Sequence, residues 1–220
     1  AKTVRSGKLR SLGTDRDLRP LYDQMEPLKY DVVICPHCGY AALTRFFGGL
    51  TAGQIKAIKE NISANFHPVK EEKEIYTYEE ALYRYKLCLA NTIVKHGKVS
   101  EKAYICLKAG WLLRSMGENL DPAVEDYNKK MQEIKEQEKD FLKNALDGLI
   151  TARQTESYPI CGMDEVTLEY LIAVLAMEFE KYDISSRLIY NILNTPTVNN
   201  RIKDKAREVK DELLQQMGKK

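Results

Sequence analysis

"EYLIAVLAMEFEKYDISSRLIYNILNTP", residues 169–196, lies in the most apolar part of the chain, and its reading decides the fold. A single helix over this whole run would be too long for a small domain. The stretch therefore reads as two helices bent at Tyr182 to Ile184, the second closed by Pro196, whose ring and missing N–H end a helix. Downstream, Ile202, Ala206, Val209, Leu213 and Met217 form one apolar stripe flanked by Lys, Arg, Asp and Glu. That pattern predicts a terminal helix covering the core with its polar side outward.

Working upstream, Val124, Tyr127, Met131, Ile134, Phe141 and Ala145 follow an alternating three-four spacing, with Glu138 at the one charged seam position. Asp121 and Pro122 supply a cap and a first helical position, so a long helix is expected to begin there. Its seam is short for a coiled coil, and packing within the same chain is expected. Thr51 with Gln54 and Thr77 with Glu80 have capping-box spacing and mark two more helix starts. Ile55, Ile58, Ile62 and Phe66 follow the first; Leu82, Tyr85, Leu89 and Ile93 follow the second, which should end near Gly97. Pro68 and "KEEKE" make a polar break between them. Ser100 is placed to cap a helix holding Tyr104, Leu107, Trp111 and Met116, apolar around much of its circumference and so expected at the centre.

The hairpin at 165–196 resembles a degenerate tetratricopeptide repeat, with Ser186, Tyr190 and Leu193 near the small, aromatic and small positions and Pro196 near the closing proline. An unrelated helical bundle would give a similar pattern. The expected fold is mainly α: a tetratricopeptide-like stack of helical hairpins over residues 51–220, preceded by a small segment, residues 1–50, with a basic arm, a short strand and a CxxC turn. "FFGGLTAG", residues 46–53, joins the two as a hinge.

The small segment carries the chemistry. "KYDVVI", residues 29–34, is a strand signal that runs into "CPHCGY", where Cys35 and Cys38 bracket Pro36 and His37. A C-x-x-C turn presents two thiolates at zinc-ligand separation, and Gly39 accepts the positive φ such a turn needs. Cys35 and Cys38 are the candidate metal ligands, but one pair is half a zinc site. The remaining ligands must come from His37, His67, His96, Cys161 or a segment outside this sequence, and none of these residues shows paired spacing. Read alone, His67 and His96 fit helix ends, Cys88 and Cys106 fit small apolar positions on helical faces, and Cys161 with Gly162 fits a loop. The rival reading is redox, because C-P-H-C is also the active tetrapeptide of DsbA-like thiol oxidoreductases. Those proteins need a thioredoxin core of several strands, whereas this sequence is helical after Thr51, and Gly39 would weaken the helix the redox motif requires.

Residues 4–43, "VRSGKLRSLGTDRDLRPLYDQMEPLKYDVVICPHCGYAAL", are similar to the amino-terminal region of the bacterial family named domain of unknown function 2225. The resemblance implies a zinc ribbon or knuckle made with a first C-x-x-C a short way upstream of the basic arm, and a tetratricopeptide-like helical region after it. This chain departs from the pattern, since residues 1–34 contain no cysteine. Either the first pair lies outside this sequence or this member has lost its metal. The family brings no established activity.

Composition narrows the remaining classes. The 220 residues hold 34 basic and 32 acidic side chains, so the totals argue against both disorder and strong polyanion binding. Lys2, Arg5, Lys8, Arg10, Arg16 and Arg19 against Asp15 and Asp17 make a basic arm, which its own protein is expected to neutralise, and nucleic acid is not the expected partner. No apolar run of 18 residues and no signal-like start occurs, which points to a cytoplasmic protein with no membrane contact. Walker loop, dinucleotide fingerprint, nucleophile elbow and H-E-x-x-H patterns are missing. The tyrosines Tyr76, Tyr78, Tyr83 and Tyr85 suit either a peptide groove or helix packing. The expected function is a non-enzymatic protein- or peptide-interaction module with a structural zinc half-site or its remnant; the alternative is a thiol-disulfide oxidoreductase using Cys35 and Cys38.

Overall fold

The computed structural model describes residue 4 and residues 6–67 and 75–218. Lys2 and Arg5 of the basic arm, and Pro68 with the charged run after it, lie outside the described residues. The chain is mainly α. Two short antiparallel hairpins, β1 (Ser11–Thr14) with β2 (Pro20–Tyr22) and β3 (Val32–Ile34) with β4 (Ala41–Leu43), precede the helices α1 (Ala52–Asn61), α2 (Tyr78–Val94), α3 (Val99–Glu118), α4 (Tyr127–Thr155), α5 (Glu165–Glu178), α6 (Tyr182–Asn194) and α7 (Asn200–Met217).

Local chemistry explains most of these boundaries. Thr51 and Thr77 each form the reciprocal capping box that their spacing implies. Asp164 accepts from the Thr167 amide at 2.8 Å to open α5, and Asn199 accepts from Ile202 at 3.0 Å to open α7. At the end of α2, Gly97 N–H donates to Thr92 O at 2.8 Å and His96 N–H to Ile93 O at 3.0 Å, with His96 at φ 52°. Lys181 and Glu180 repeat this Schellman geometry at the end of α5, donating to Ala176 O and Met177 O with Glu180 at φ 56°. The bend in the apolar hairpin therefore falls at Phe179 to Lys181, and Tyr182 already belongs to α6.

Two expected helix starts differ from the structure. Asp121 caps a separate turn, accepting from Ala123 N–H at 2.8 Å, and Asp126 at φ 59° breaks the chain before α4 begins at Tyr127. Ser100 lies inside α3, whose N-cap residue Lys98 makes no side-chain cap. The cap comes from a distant residue: the Glu156 carboxylate accepts from Ser100 N–H at 2.9 Å and from its hydroxyl at 2.6 Å.

Each helix packs mainly on its neighbours in sequence. α3 is central, with Ile105, Leu107, Leu112 and Leu113 buried. Its approach to α4 is set by two glycines: a Cβ on Gly110 would sit 2.6 Å from Leu142, and one on Gly148 would sit 2.7 Å from the Ala103 Cβ. The α4 seam faces its own chain, and Glu138 at the charged seam position accepts from Arg114 at 2.7 Å. In α5 every residue from Leu168 to Met177 is buried. Ser185 of α6 is buried and donates to Ala173 O of α5 at 2.7 Å, whereas Tyr190 is 67% exposed. Leu28, Val32, Ala41 and Leu43 share the core formed by the helices.

Two arginines of the basic arm, Arg16 and Arg19, are engaged internally. Arg19 is buried, paired with Asp15 at 2.5 Å and Glu118 at 2.6 Å and donating to Ser115 at 2.9 Å. Asp17, also buried, accepts from Trp111 Nε1 at 2.9 Å and pairs with Arg114 at 2.9 Å. Arg16 pairs with Glu212 and Lys205 donates to Thr14 at 3.0 Å, tying the β1–β2 hairpin to α7. Among the described residues, no helix is long and apolar enough to cross a membrane.

Candidate metal centre

The strand signal before Cys35 is half of a hairpin, with Val32, Val33 and Ile34 opposite Leu43, Ala42 and Ala41. The six residues between the strands form the turn that presents both thiols. Cys35 N–H donates to Tyr40 O at 2.8 Å and Gly39 N–H to Cys35 O at 3.0 Å, which closes the turn. Gly39 has φ 71°, a conformation strained for residues with a Cβ. A Cβ there would also come within 2.5 Å of the Phe66 ring, so two independent constraints select glycine.

The closed turn carries both thiols within four residues, the spacing of a metal knuckle. The amides of His37 and Cys38 and the Cys38 thiol lower the Cys35 pKa against the opposing effect of partial burial. Burial raises Cys38, opposed by the Tyr40 amide and the charge of Lys59. The other cysteines are insulated: burial pushes Cys88 up to about 12 and Cys106 and Cys161 each up to about 11. Among the five cysteines, Cys35 is the one whose thiolate is favoured.

The chemistry of this donor pair fits zinc, and Cys35 and Cys38 would supply two of its four tetrahedral ligands. Among the described residues, no group of three or more His, Cys, Asp and Glu side chains could hold a metal ion. The other candidate ligands lie elsewhere. His37 is exposed within the turn itself. His67 is exposed, its Nδ1 3.1 Å from Asn65 O, and borders a groove of about 450 Å³ with Ile62, Phe66, Tyr83 and Leu87. His96 and Cys161 line a different cleft of about 680 Å³, between residues 45–50, the α2–α3 turn and the loop 156–162. The polar groups of that cleft satisfy one another: Lys95 with Glu101 at 2.7 Å, Ser100 with Glu156, Arg45 with the Cys161 carbonyl, and the Cys161 thiol donating to Ser100 O at 3.3 Å.

The sequence model of domain of unknown function 2225, described as an uncharacterized protein conserved in bacteria, matches residues 1–213. The chain belongs to this family. No curated protein and no solved structure matches it. The family match covers the knuckle and all seven helices up to Leu213.

Sequence reasoning missed the residues that hold the knuckle from behind. Ser63 Oγ donates to Cys38 O at 2.7 Å, and Asn91, fully buried in α2, donates to Gly39 O at 3.1 Å and Leu87 O at 2.9 Å. They lie 25 and 52 positions from their partners, and no local spacing could reveal them. Of the tyrosine group, Tyr85 donates to Leu28 O at 3.0 Å and Tyr76 stacks 5.2 Å from Tyr30, while Tyr83 is exposed.

Proposed function

We propose that the chain is a non-enzymatic protein- or peptide-interaction module of the cytoplasm, a tetratricopeptide-like hairpin stack whose amino-terminal segment holds half of a structural zinc ribbon. The observation that carries this reading is the knuckle: two thiols on a β-hairpin turn closed by Cys35 N–H to Tyr40 O and Gly39 N–H to Cys35 O, with a glycine fixed by φ and by Phe66. The helices support the interaction role, because sequential packing of hairpins builds an extended surface in repeat proteins. The internal pairing of Arg16 and Arg19 argues against a nucleic-acid partner.

A second reading has its own support, since Cys35 is lowered while Cys38 is raised. In thiol-disulfide exchange the Cys35 thiolate would attack a substrate disulfide and release one substrate thiolate. Cys38 would then displace the other, leaving the substrate reduced and the pair oxidised. Against this, Cys35 follows a strand within a tight turn and lacks the helix N-terminus that such nucleophiles use.

Zinc content of the full natural chain separates the two. Metal bound stoichiometrically, released by chelator and lost in Cys35→Ser and Cys38→Ser, is the expected result. A metal-free protein whose Cys35–Cys38 pair cycles between dithiol and disulfide with glutathione would overturn the zinc reading in favour of the redox one.

A further inference from the structure

α1 is the least anchored helix in the fold. Its ten residues span about 15 Å, shorter than the 12–15 residues at which even good helix formers are marginal in water. Ile58 is its only buried residue, and Ile55 on the same helix is 42% exposed. Ile58 does not join the main core. It packs in a separate cluster with Tyr40 and Ala42, bordered by Cys35, Cys38, Leu50, Ile62 and Val94. α1 therefore rests on a small cluster that the two cysteines border, together with the end of α2 and the turn that follows α1.

Polar contacts repeat the pattern. Ser63, just past α1, donates to the Cys38 carbonyl at 2.7 Å. Phe66, three residues on, lies against Gly39 at a distance that excludes any Cβ. From the other side Asn91 of α2 donates to the Gly39 carbonyl at 3.1 Å. A longer-range tether to the helices is Gln54, whose amide donates to Lys95 O at 3.2 Å. Anything that fixes the backbone of residues 35–39 thus fixes the surface on which residues 52–66 rest.

We propose that zinc at Cys35 and Cys38 controls the docking of the segment 52–66, with Ser63 and Asn91 as positioning residues that couple the knuckle to it. This rests on the zinc reading above. With metal bound, the two sulfurs are held together, the Cys38 and Gly39 carbonyls stay where Ser63 and Asn91 meet them, and α1 is seated. With metal removed, the cluster of Tyr40, Ala42 and Ile58 loses its rigid floor and α1 leaves it while α3 to α6 stay folded on their own core. Linkage makes the coupling reciprocal: weakening the seat of α1 weakens zinc binding by the same factor.

Hydrogen exchange on the full natural chain, zinc-loaded against chelator-treated, tests the docking. Amides of residues 54–66 should exchange at least about tenfold faster without zinc, and those of α3 to α6 within about twofold. The reciprocal arm measures zinc affinity by chelator competition. Ser63→Ala should bind zinc about tenfold more weakly, in the range of outer-shell changes at metal sites, and Ser63→Thr, which keeps the hydroxyl, should recover most of the loss. Asn91→Ala should act in the same direction, and Ile55→Ala, on the exposed face of α1, should leave affinity unchanged. Zinc uptake with unaltered exchange in 54–66, or with Ser63→Ala at wild-type affinity, overturns the coupling and leaves the zinc reading intact. Failure to take up zinc overturns both.

Discussion

In the main core Leu142, Leu146 and Leu149 of α4 are fully buried, and nine residues of α5, Leu168 and Tyr170 to Met177, join them; around the knuckle, among the described residues, only Tyr40, Ala42 and Ile58 are buried in their own cluster. Full burial of one aliphatic side chain stabilises by about 1.5–3 kcal/mol, so the helical core has many such contributions and the knuckle cluster very few. Fixing each backbone residue costs about 1–2 kcal/mol, and α1 with its flanking turn orders more than ten residues on that small cluster. The helices can therefore hold themselves, whereas the knuckle region depends on single hydrogen bonds such as those from Ser63 and Asn91 and, on the zinc reading proposed above, on a metal joining its two sulfurs.

The largest effect should come from setting matched truncations side by side. Leu146→Ala leaves a cavity in the main core and should lower global stability by about 2–5 kcal/mol in denaturant titration. Ile58→Ala removes a side chain just as buried, yet its global cost is capped by the small free energy that seats α1. It should shift the same transition by less than about 1 kcal/mol while exposing 52–66 to exchange. Equal global losses from the two would erase the distinction between the regions.

The cap on α3 sharpens the comparison at intermediate size. Glu156 satisfies Ser100 N–H and Oγ from 56 positions away, joining the end of α4 to the start of α3. Hydrogen bonds to a charged group are worth about 1.5–3 kcal/mol together with the desolvation they offset. Glu156→Ala should lose stability in that range, and Glu156→Gln should lose less. Thermal unfolding of both variants measures it, and no loss in Glu156→Ala would mean that water replaces the cap.

The smallest effect concerns pH. The Thr167 hydroxyl and amide hold the Asp164 carboxyl below its ordinary value. A lowered folded pKa adds stability that is present above the unfolded value, near 3.9 for aspartate, and is lost as pH falls through the folded one. Asp164 is exposed, so the contribution is a few tenths of a kcal/mol after solvent screening. Asp164→Asn should flatten the acid limb of the stability curve slightly and leave neutral stability nearly unchanged, because asparagine also caps.

The helical region was legible because its signals are local. Thr51 with Gln54 and Thr77 with Glu80 formed the caps their spacing implies, and the Met131 to Ala145 seam faced its own chain. The Cys35–Cys38 turn was equally local, down to the positive φ at Gly39. What escaped depends on residues far apart in sequence or on short, uninformative strands. β1 is exposed at all four positions and pairs with a strand that begins at Pro20, so it carries no alternation to read. β4 is Ala-Ala-Leu, buried throughout, and becomes a strand only because Val32 to Ile34 lie beside it. His96 and Glu180 take left-handed positions that usually belong to glycine, which moved one bend by about a turn of helix.

The bond between Arg16 and Glu212 and that between Lys205 and Thr14 give the molecule the geometry of a buckled belt, with its first hairpin fastened to its last helix. Exposed ion pairs of this kind add little stability. They do convert a row of helices into a loop, so unravelling from the carboxyl side must open the buckle before it reaches the buried Asp17–Trp111 pair. A pair of dyes on residues 12 and 211 would make that opening visible as a gauge of strain running along the whole stack.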